Sequence, residues 1–146
     1  MLKTRDTALL ITRIAFGGLM AGHGWLKFSN GLDGFGGFVE SLELPLAGLL
    51  QYIVPVLELV GGLAIVAGIL TRPVAALLAV HMLAVTAYVK FNRFDAGFLS
   101  GDATAELELL YAAGFAMLAL LGAGAYSVDE TILSRSSSEE RATVNA

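Results

Sequence analysis

Four apolar stretches dominate the pattern of hydrophobic and polar positions, at residues 8–28, 46–70, 74–91 and 105–121. A helix rises about 1.5 Å per residue, so about 20 residues cross the hydrocarbon core of a bilayer. The stretches are close to this length, and polar or glycine-rich segments join them, the shortest being the turn at 71–73. The pattern predicts an all-α membrane protein, folded as an antiparallel bundle of four transmembrane helices.

The connection between the first two spans carries a weaker pattern. Apolar residues recur there at intervals of three and four positions, namely Leu32, Phe35, Phe38, Val39 and Leu42. This spacing predicts a short amphipathic helix, which we expect to lie in the membrane interface and cap the bundle rather than to act as a mobile lid. Residues 134–146 are poor in apolar side chains, so the single domain at 1–133 is expected to end in a disordered polar tail.

The first span contains charged residues, which an ordinary transmembrane helix lacks. Arg13 and Lys27 lie seven positions on either side of Met20 and share its helix face, and His23 precedes Lys27 by four positions on the same stripe. A charge in hydrocarbon costs about 3 kcal/mol or more, so such residues usually face a protein interior or water. The span is also too long and too polar for a signal peptide, and we expect it to be retained.

Composition narrows the class of protein. Charged residues make up 15% of the chain, against about 25% in soluble domains, and the mean hydropathy of +0.73 indicates a lipid environment. The net charge of −4 and the scattered basic residues give no support to nucleic-acid binding. The absence of cysteine excludes disulfides, thiolate metal sites and dithiol redox chemistry. No metal site is predicted, since His23 and His81 lie at different depths without a further ligand motif.

Placing the spans at their depths in the bilayer predicts a polar cluster in its outer half, formed by His23, Lys27, Glu58 and Glu106. An unpaired buried charge is costly, so we expect these groups to pair with one another. Arg13 and Arg72 belong to the inner half, where Arg72 can reach the headgroups and Arg13 needs a partner that the sequence does not identify. His81 is interpreted as a hydrogen-bonded interior residue outside this candidate site.

The distribution of basic residues predicts the orientation. Four spans place both termini on one side of the membrane, together with Arg72, while Lys27 and Lys90 lie near the other side. Counting all the basic residues near the span ends gives the terminal side a small excess. Since basic residues favour the cytoplasm, both termini are expected to be cytoplasmic.

Several of these residues occur in motifs that resemble the DoxX family of small bacterial membrane proteins. The motifs are R-x9-H-G-x2-K from Arg13 to Lys27, GFVESLELP in the first connection, ELVGGLAIVAGILTRP from Glu58 to Pro73, and Glu106 followed by LLY and by GAGAYSVDE. The resemblance covers about residues 9–133. It implies a multi-pass protein of the bacterial plasma (inner) membrane, and it carries over Arg13, His23, Lys27, Glu58, Arg72 and Glu106 as candidate site residues.

The resemblance also implies a class of function. Relatives of this kind resemble small subunits associated with quinone-linked sulfur oxidation, or with membrane complexes that handle oxidative and thiol stress. A quinone headgroup needs hydrogen-bond donors such as His or Lys, a carboxylate to relay protons, and apolar walls for its tail. We therefore expect a non-covalently bound quinone and a partner redox protein that carries the electrons, since the sequence shows no electron-carrier motif of its own.

Two other functions remain open at this stage. Intramembrane Glu, His and Arg residues are also typical of a proton-coupled carrier for a small solute, although four spans without an inverted repeat would then require a homo-oligomer. Alternatively, the charges hold together a non-catalytic membrane assembly protein. Whether the chain is an enzyme is not decided by the sequence.

Overall fold

The computed structural model describes residues 4–93 and 104–134, with the side chains of residues 92 and 93 excepted. Every regular element in these residues is helical. The five helices are α1 (Thr4–Ser29), α2 (Leu32–Ser41), α3 (Ala47–Ala67), α4 (Thr71–Phe91) and α5 (Glu106–Leu121), and a helical segment follows at 128–134. The predicted tail beyond residue 134 lies outside the described residues.

Helices α1, α3 and α4 have 26, 21 and 21 residues and are long and apolar enough to cross a membrane. They lie at the first three predicted spans. Helix α4 begins at Thr71 rather than at residue 74, because Pro73 is tolerated in a first helical turn, where its missing N–H would have no partner. Helix α5 lies at the fourth predicted span and has 16 residues.

The four long helices pack with their neighbours antiparallel. Near one end of the bundle, Arg13 of α1 contacts the last turn of α3; near the other, Lys27 contacts Glu58. Helices α4 and α5 likewise meet through Lys90 and Glu108. The buried core between the helices is formed by Leu9, Met20, Ile65, Ala75, Leu78, Ala79, Met82, Tyr111, Ala112, Phe115 and Leu118.

The outward faces of the same helices are apolar. Large hydrophobic side chains are exposed along α1, α3 and α4, among them Ile11, Leu19, Ile53, Val60, Leu77 and Val80. Water would disfavour so much exposed apolar surface, and lipid tails would not. This surface is therefore that of a helix bundle made to contact lipid.

Glycines set the close approach of α1 to α3. A Cβ atom at Gly17, Gly24 or Gly62 would collide with the backbone of the facing helix. By contrast, a Cβ atom at Gly18 or Gly22, which form the GxxxG pair of the first span, would meet no atom within 4 Å. Small residues permit close packing of membrane helices, but here the glycines that do so lie outside the GxxxG pair.

The predicted amphipathic helix between the first two spans is present as α2. Its apolar side packs on α3 with Val39 buried, Leu42 just after the helix is buried too, and Gly36 lies against the side chain of Gln51. The hydroxyl of Tyr88 on α4 donates a hydrogen bond of 3.2 Å to the carbonyl oxygen of Leu42. Helix α2 and the turn after it therefore cover one end of the bundle.

Candidate functional site

A cavity of about 470 Å³ lies at the end of the bundle that α2 covers. Most of its wall is apolar and comes from all five helices and the turn after α2. Among the described residues, the polar ones that line it are His23, Lys27, Glu58, His81, Lys90, Glu108 and Tyr111. A concave, mainly apolar site with a few convergent polar groups is the usual form of a small-molecule site.

Glu58 is the most deeply buried acid of the cavity wall, with 4% of its surface exposed. Its Oε2 atom accepts a hydrogen bond from the Nζ atom of Lys27, and its Oε1 atom lies 3.2 Å from Nε2 of His81. An ionised carboxylate only accepts hydrogen bonds, so Nε2 of His81 carries the hydrogen in that state. Both carboxylate oxygens are thus satisfied, each by a different helix.

Local packing explains why these three residues meet. The contact of Gly24 with α3 brings α1 close enough for Lys27, one turn further on, to reach Glu58. On the face of α3 toward α4, Gly61 packs against Leu78, and His81 lies one turn beyond Leu78. The ammonium group of Lys27 also lies 4.8 Å from the ring centroid of Phe35, a cation–π contact with α2.

A second ion pair lines the same cavity. The Nζ atom of Lys90 on α4 lies 3.2 Å from Oε1 of Glu108 on α5. Glu106, which the sequence analysis placed in the cluster, is exposed and does not line the cavity. Two positions along a helix correspond to a rotation of about 200°, so Glu106 and Glu108 point to opposite sides of α5. Of the two acids, the structure thus places Glu108 at the site.

His23 lies at the edge of the cavity and outside the ion pairs. Its side chain is exposed, and its ring meets Tyr111 edge to face, with the ring centroids 6.0 Å apart. Of the residues predicted for the outer half, Lys27 and Glu58 are therefore in direct contact, and His23 borders the same cavity.

Arg13 lies near the other end of the bundle, with 1% of its surface exposed. Its guanidinium group donates hydrogen bonds of 2.6–2.9 Å to four backbone carbonyl oxygens, those of Ile65, Val66, Ala123 and Tyr126. The first two lie in the last turn of α3, where carbonyls lack helical partners and the helix dipole favours a cation. The partner that the sequence did not identify for Arg13 is thus a set of backbone carbonyl oxygens, which no pattern of acidic residues in the sequence indicates.

Arg72, the second residue predicted for the inner half, is exposed and lies against Gly122. Neither Arg72 nor Arg13 lines the cavity. Of the six candidate residues, Lys27 and Glu58 thus form an ion pair, and His23 lies at the edge of the cavity. The other three lie elsewhere: Arg13 and Arg72 near the opposite end of the bundle, and Glu106 on the outer surface of α5.

The sequence analysis did not place His81 at the site. One signal was available: Glu58 lies eleven residues before Ile69, and His81 lies eleven residues after Leu70. Residues equally distant from a tight turn lie at the same level in an antiparallel helix pair. No comparable signal existed for Lys90 and Glu108, because the length of the segment between their helices does not fix the relative level of those helices.

Comparison with known proteins relates this chain to one family. The DoxX family model matches residues 8–91. The chain is similar to Inner membrane protein YqjF of Escherichia coli (strain K12), with 35% identity over 132 residues, which is 90% of this chain and 97% of the relative. It is also similar to Inner membrane protein YphA of the same organism, with 33% identity over 131 residues, 86% of this chain and 90% of the relative. No solved structure gives a significant match.

Proposed function

The chain belongs to the DoxX family, and from this premise we propose that it is a bacterial inner-membrane subunit whose cavity binds a lipophilic quinone. The two E. coli relatives are named as inner membrane proteins. The observation that carries the proposal is the ion-paired Glu58 in the wall of a mainly apolar cavity. Ionisable residues inside transmembrane segments are rare, and those that line a cavity usually mark a substrate, ion or proton pathway.

The cavity has the groups that a quinone requires. Apolar side chains form most of its wall and suit an isoprenoid tail, while the ammonium group of Lys27, with three N–H donors, has donors beyond the one it gives to Glu58 for a carbonyl oxygen. Reduction of a quinone to a quinol takes two electrons and two protons. In the proposal, Glu58 and His81 relay the protons, and a partner redox protein supplies or removes the electrons, because this cysteine-free chain has no thiolate ligands for an iron–sulfur cluster.

The proposed arrangement in the membrane has four crossings and cytoplasmic termini. Helix α5 is about 24 Å long and lies antiparallel to α4, which supports a crossing with local thinning or extension at its ends. Since the chain lacks cysteine, single cysteines report its topology. A membrane-impermeant maleimide added to spheroplasts should label Asn30→Cys and leave Leu133→Cys unlabelled. Labelling of both would mean that α5 does not cross.

The direct test of quinone binding uses protein purified from its native membrane. Mass spectrometry of the extracted lipophiles should find quinone enriched with the wild type and lost from Glu58→Gln. Glu106→Gln is the matched control, because this exposed glutamate lies outside the cavity. Ordinary lipids without quinone in the wild type would overturn the proposal.

A proton-coupled carrier for a small solute is the second candidate, favoured by the contact between Glu58 and His81. A carrier must open its site to both sides of the membrane, whereas this cavity lies at one end and the Arg13 carbonyl cluster closes the other. Uptake by proteoliposomes, abolished by Glu58→Gln, would favour the carrier. Loss of stability in Glu58→Gln without loss of any binding or uptake would favour a non-catalytic assembly protein.

A further inference from the structure

His23 lies in a row of exposed side chains on α1 that is otherwise apolar. Leu19 precedes it by four positions and Leu26 follows it by three, so the three side chains share one side of the helix. The two leucines are 62% and 53% exposed, as suits a surface in contact with lipid. His23 is exposed as well, and its ring nitrogens form no hydrogen bond with the described residues. Ionisable residues are rare on such surfaces, and where they occur they usually mark a functional site.

At the level of the cavity, polar contacts close three of the four seams between neighbouring long helices. Glu58 joins α3 to both α1 and α4, and Lys90 pairs with Glu108 between α4 and α5. At the fourth seam, between α1 and α5, no hydrogen bond or ion pair joins described residues at this level. There the ring of His23 meets the ring of Tyr111 edge to face. This seam is therefore the one held least firmly beside the cavity.

Deeper in the bundle, aromatic packing closes the seam between α1 and α5. The ring of Phe16 lies against Gly114, where a Cβ atom would collide with it. The centroid of this ring is 5.8 Å from that of Tyr111 and 6.1 Å from that of Phe115. Any gap between the two helices is thus confined to the part of the seam that borders the cavity.

Two residues on the two sides of this seam both line the cavity and are exposed. They are His23 on α1 and Leu107 on α5, and Leu107 is 51% exposed. Tyr111 lies five residues beyond Glu106, the first residue of α5, which corresponds to about 8 Å along the helix axis. The seam at His23 and Tyr111 therefore lies within the length of the helices and faces the side of the bundle.

The size of the cavity also calls for a lateral opening. A volume of about 470 Å³ accommodates a quinone ring and the first part of a tail, but a long isoprenoid tail exceeds it. The rest of such a tail has to leave the cavity. An apolar chain is far more stable in lipid than in water, so an exit through the side of the bundle is favoured over one through its end.

From these observations we infer that the cavity opens to the lipid between α1 and α5, through an entrance bordered by His23, Leu107 and Tyr111, and that His23 binds the head of the ligand there. This inference rests on the proposed quinone function and adds the route of the ligand and the direction of its tail. The neutral imidazole of His23 has one donor for a quinone carbonyl and one acceptor for a quinol hydroxyl. Lys27 lies one helical turn further along α1, so a ring with oxygens at opposite positions contacts both residues.

The position of the entrance is tested with a photoreactive ligand, a ubiquinone analogue whose decyl tail carries a diazirine. The probe is irradiated with the full chain in nanodiscs, and its adducts are mapped by mass spectrometry of the peptides. Only adducts that excess decylubiquinone suppresses are counted. We expect them on exposed residues beside the seam, namely Leu19 of α1 and Leu107 and Leu110 of α5. Suppressible adducts confined to other parts of the chain, such as α2 and the turn at 42–46, would overturn the entrance.

The role of His23 is tested with two variants and a control. His23→Leu removes both ring nitrogens and should weaken the binding of decylubiquinone, measured by calorimetry in nanodiscs, about three- to tenfold, the effect of one hydrogen bond. His23→Gln keeps a donor and an acceptor and should retain most of the affinity. Tyr52→Phe is the control, because it removes a polar group from an exposed residue that does not line the cavity. The unfolding temperature of His23→Leu should not fall, since leucine suits a lipid-facing surface.

The outcomes separate this inference from the proposed function. Unchanged affinity in His23→Leu would overturn the role of His23, and adducts away from the seam would overturn the entrance, while both results leave quinone binding intact. Failure of the wild type to bind decylubiquinone saturably would overturn the inference and the proposed function together.

Discussion

The Nε2 atom of His81 on α4 lies 3.2 Å from the Oε1 atom of Glu58 on α3. With Lys27 of α1 on the other carboxylate oxygen, this contact ties three helices together at one acidic side chain. A proton that leaves or reaches Glu58 therefore changes the hydrogen bonds of two other helices at once. In the proposed function, ligand binding at the cavity and cohesion of the bundle thus depend on the same carboxylate.

The ion pair of Lys27 and Glu58 should be energetically coupled. Lys27→Met leaves Glu58 with His81 alone, and Glu58→Gln leaves Lys27 without its acid. The losses of unfolding free energy in the two single variants should therefore add up to more than the loss in the double variant. We expect a coupling free energy of about 0.5–3 kcal/mol from a double-mutant cycle measured by denaturant unfolding in detergent. The cycle of Lys27→Met with Glu106→Gln is the control, and additivity in both cycles would contradict the prediction.

Arg13 should act on stability and leave ligand affinity unchanged. Arg13→Lys replaces a guanidinium that reaches four carbonyls with a compact ammonium, and should lower the unfolding free energy by about 2 kcal/mol or more. Arg5→Lys is the control, because exposed Arg5 donates one hydrogen bond, of 3.3 Å, to the carbonyl of Leu121. A folded Arg13→Lys protein that had lost ligand binding would show that Arg13 belongs to the site.

Alanine substitutions at glycines of α1 and α3 should give opposite results according to whether the glycine faces the neighbouring helix. Gly24→Ala and Gly62→Ala place a methyl group against backbone atoms and should destabilise the bundle by about 1–3 kcal/mol. Gly18→Ala and Gly22→Ala meet open space and should be neutral or stabilising by up to about 1 kcal/mol, the usual gain in helix propensity. Thermal unfolding of the four variants in one detergent tests this, and a destabilised Gly22→Ala would count against the observed packing.

Asp129 should stabilise the start of α4. Its two carboxylate oxygens accept hydrogen bonds from the backbone N–H groups of Leu70 and Thr71, at 2.8 and 2.9 Å. Asp129→Ala should cost about 0.5–2 kcal/mol, as the loss of a helix cap does, and Asp129→Asn should cost less because one acceptor oxygen remains. The measurement is again the unfolding free energy, and equal stability of Asp129→Ala and the wild type would refute a capping role.

The sequence by itself determined where the helices lie and which chemical groups they carry. Apolar runs near 20 residues long predict helices because only a helix satisfies its own backbone in lipid, and all four runs are helical over most of their length in the structure. The three- and four-residue spacing of Leu32, Phe35 and Val39 predicted α2, because this spacing puts the apolar side chains on one face of a helix. The proximity of Lys27 to Glu58 also followed, since their depths in adjacent spans are similar.

Only the tertiary structure decided which other side chains join Lys27 and Glu58 at the site. A helical pattern orders residues around their own axis, but it does not give the rotation of that axis relative to the neighbouring helices. That rotation placed Glu108 rather than Glu106 in the cavity wall, and it brought His81 into contact with Glu58. The partners of Arg13 were equally hidden, because backbone carbonyls are common to every residue and become distinctive only where a helix ends.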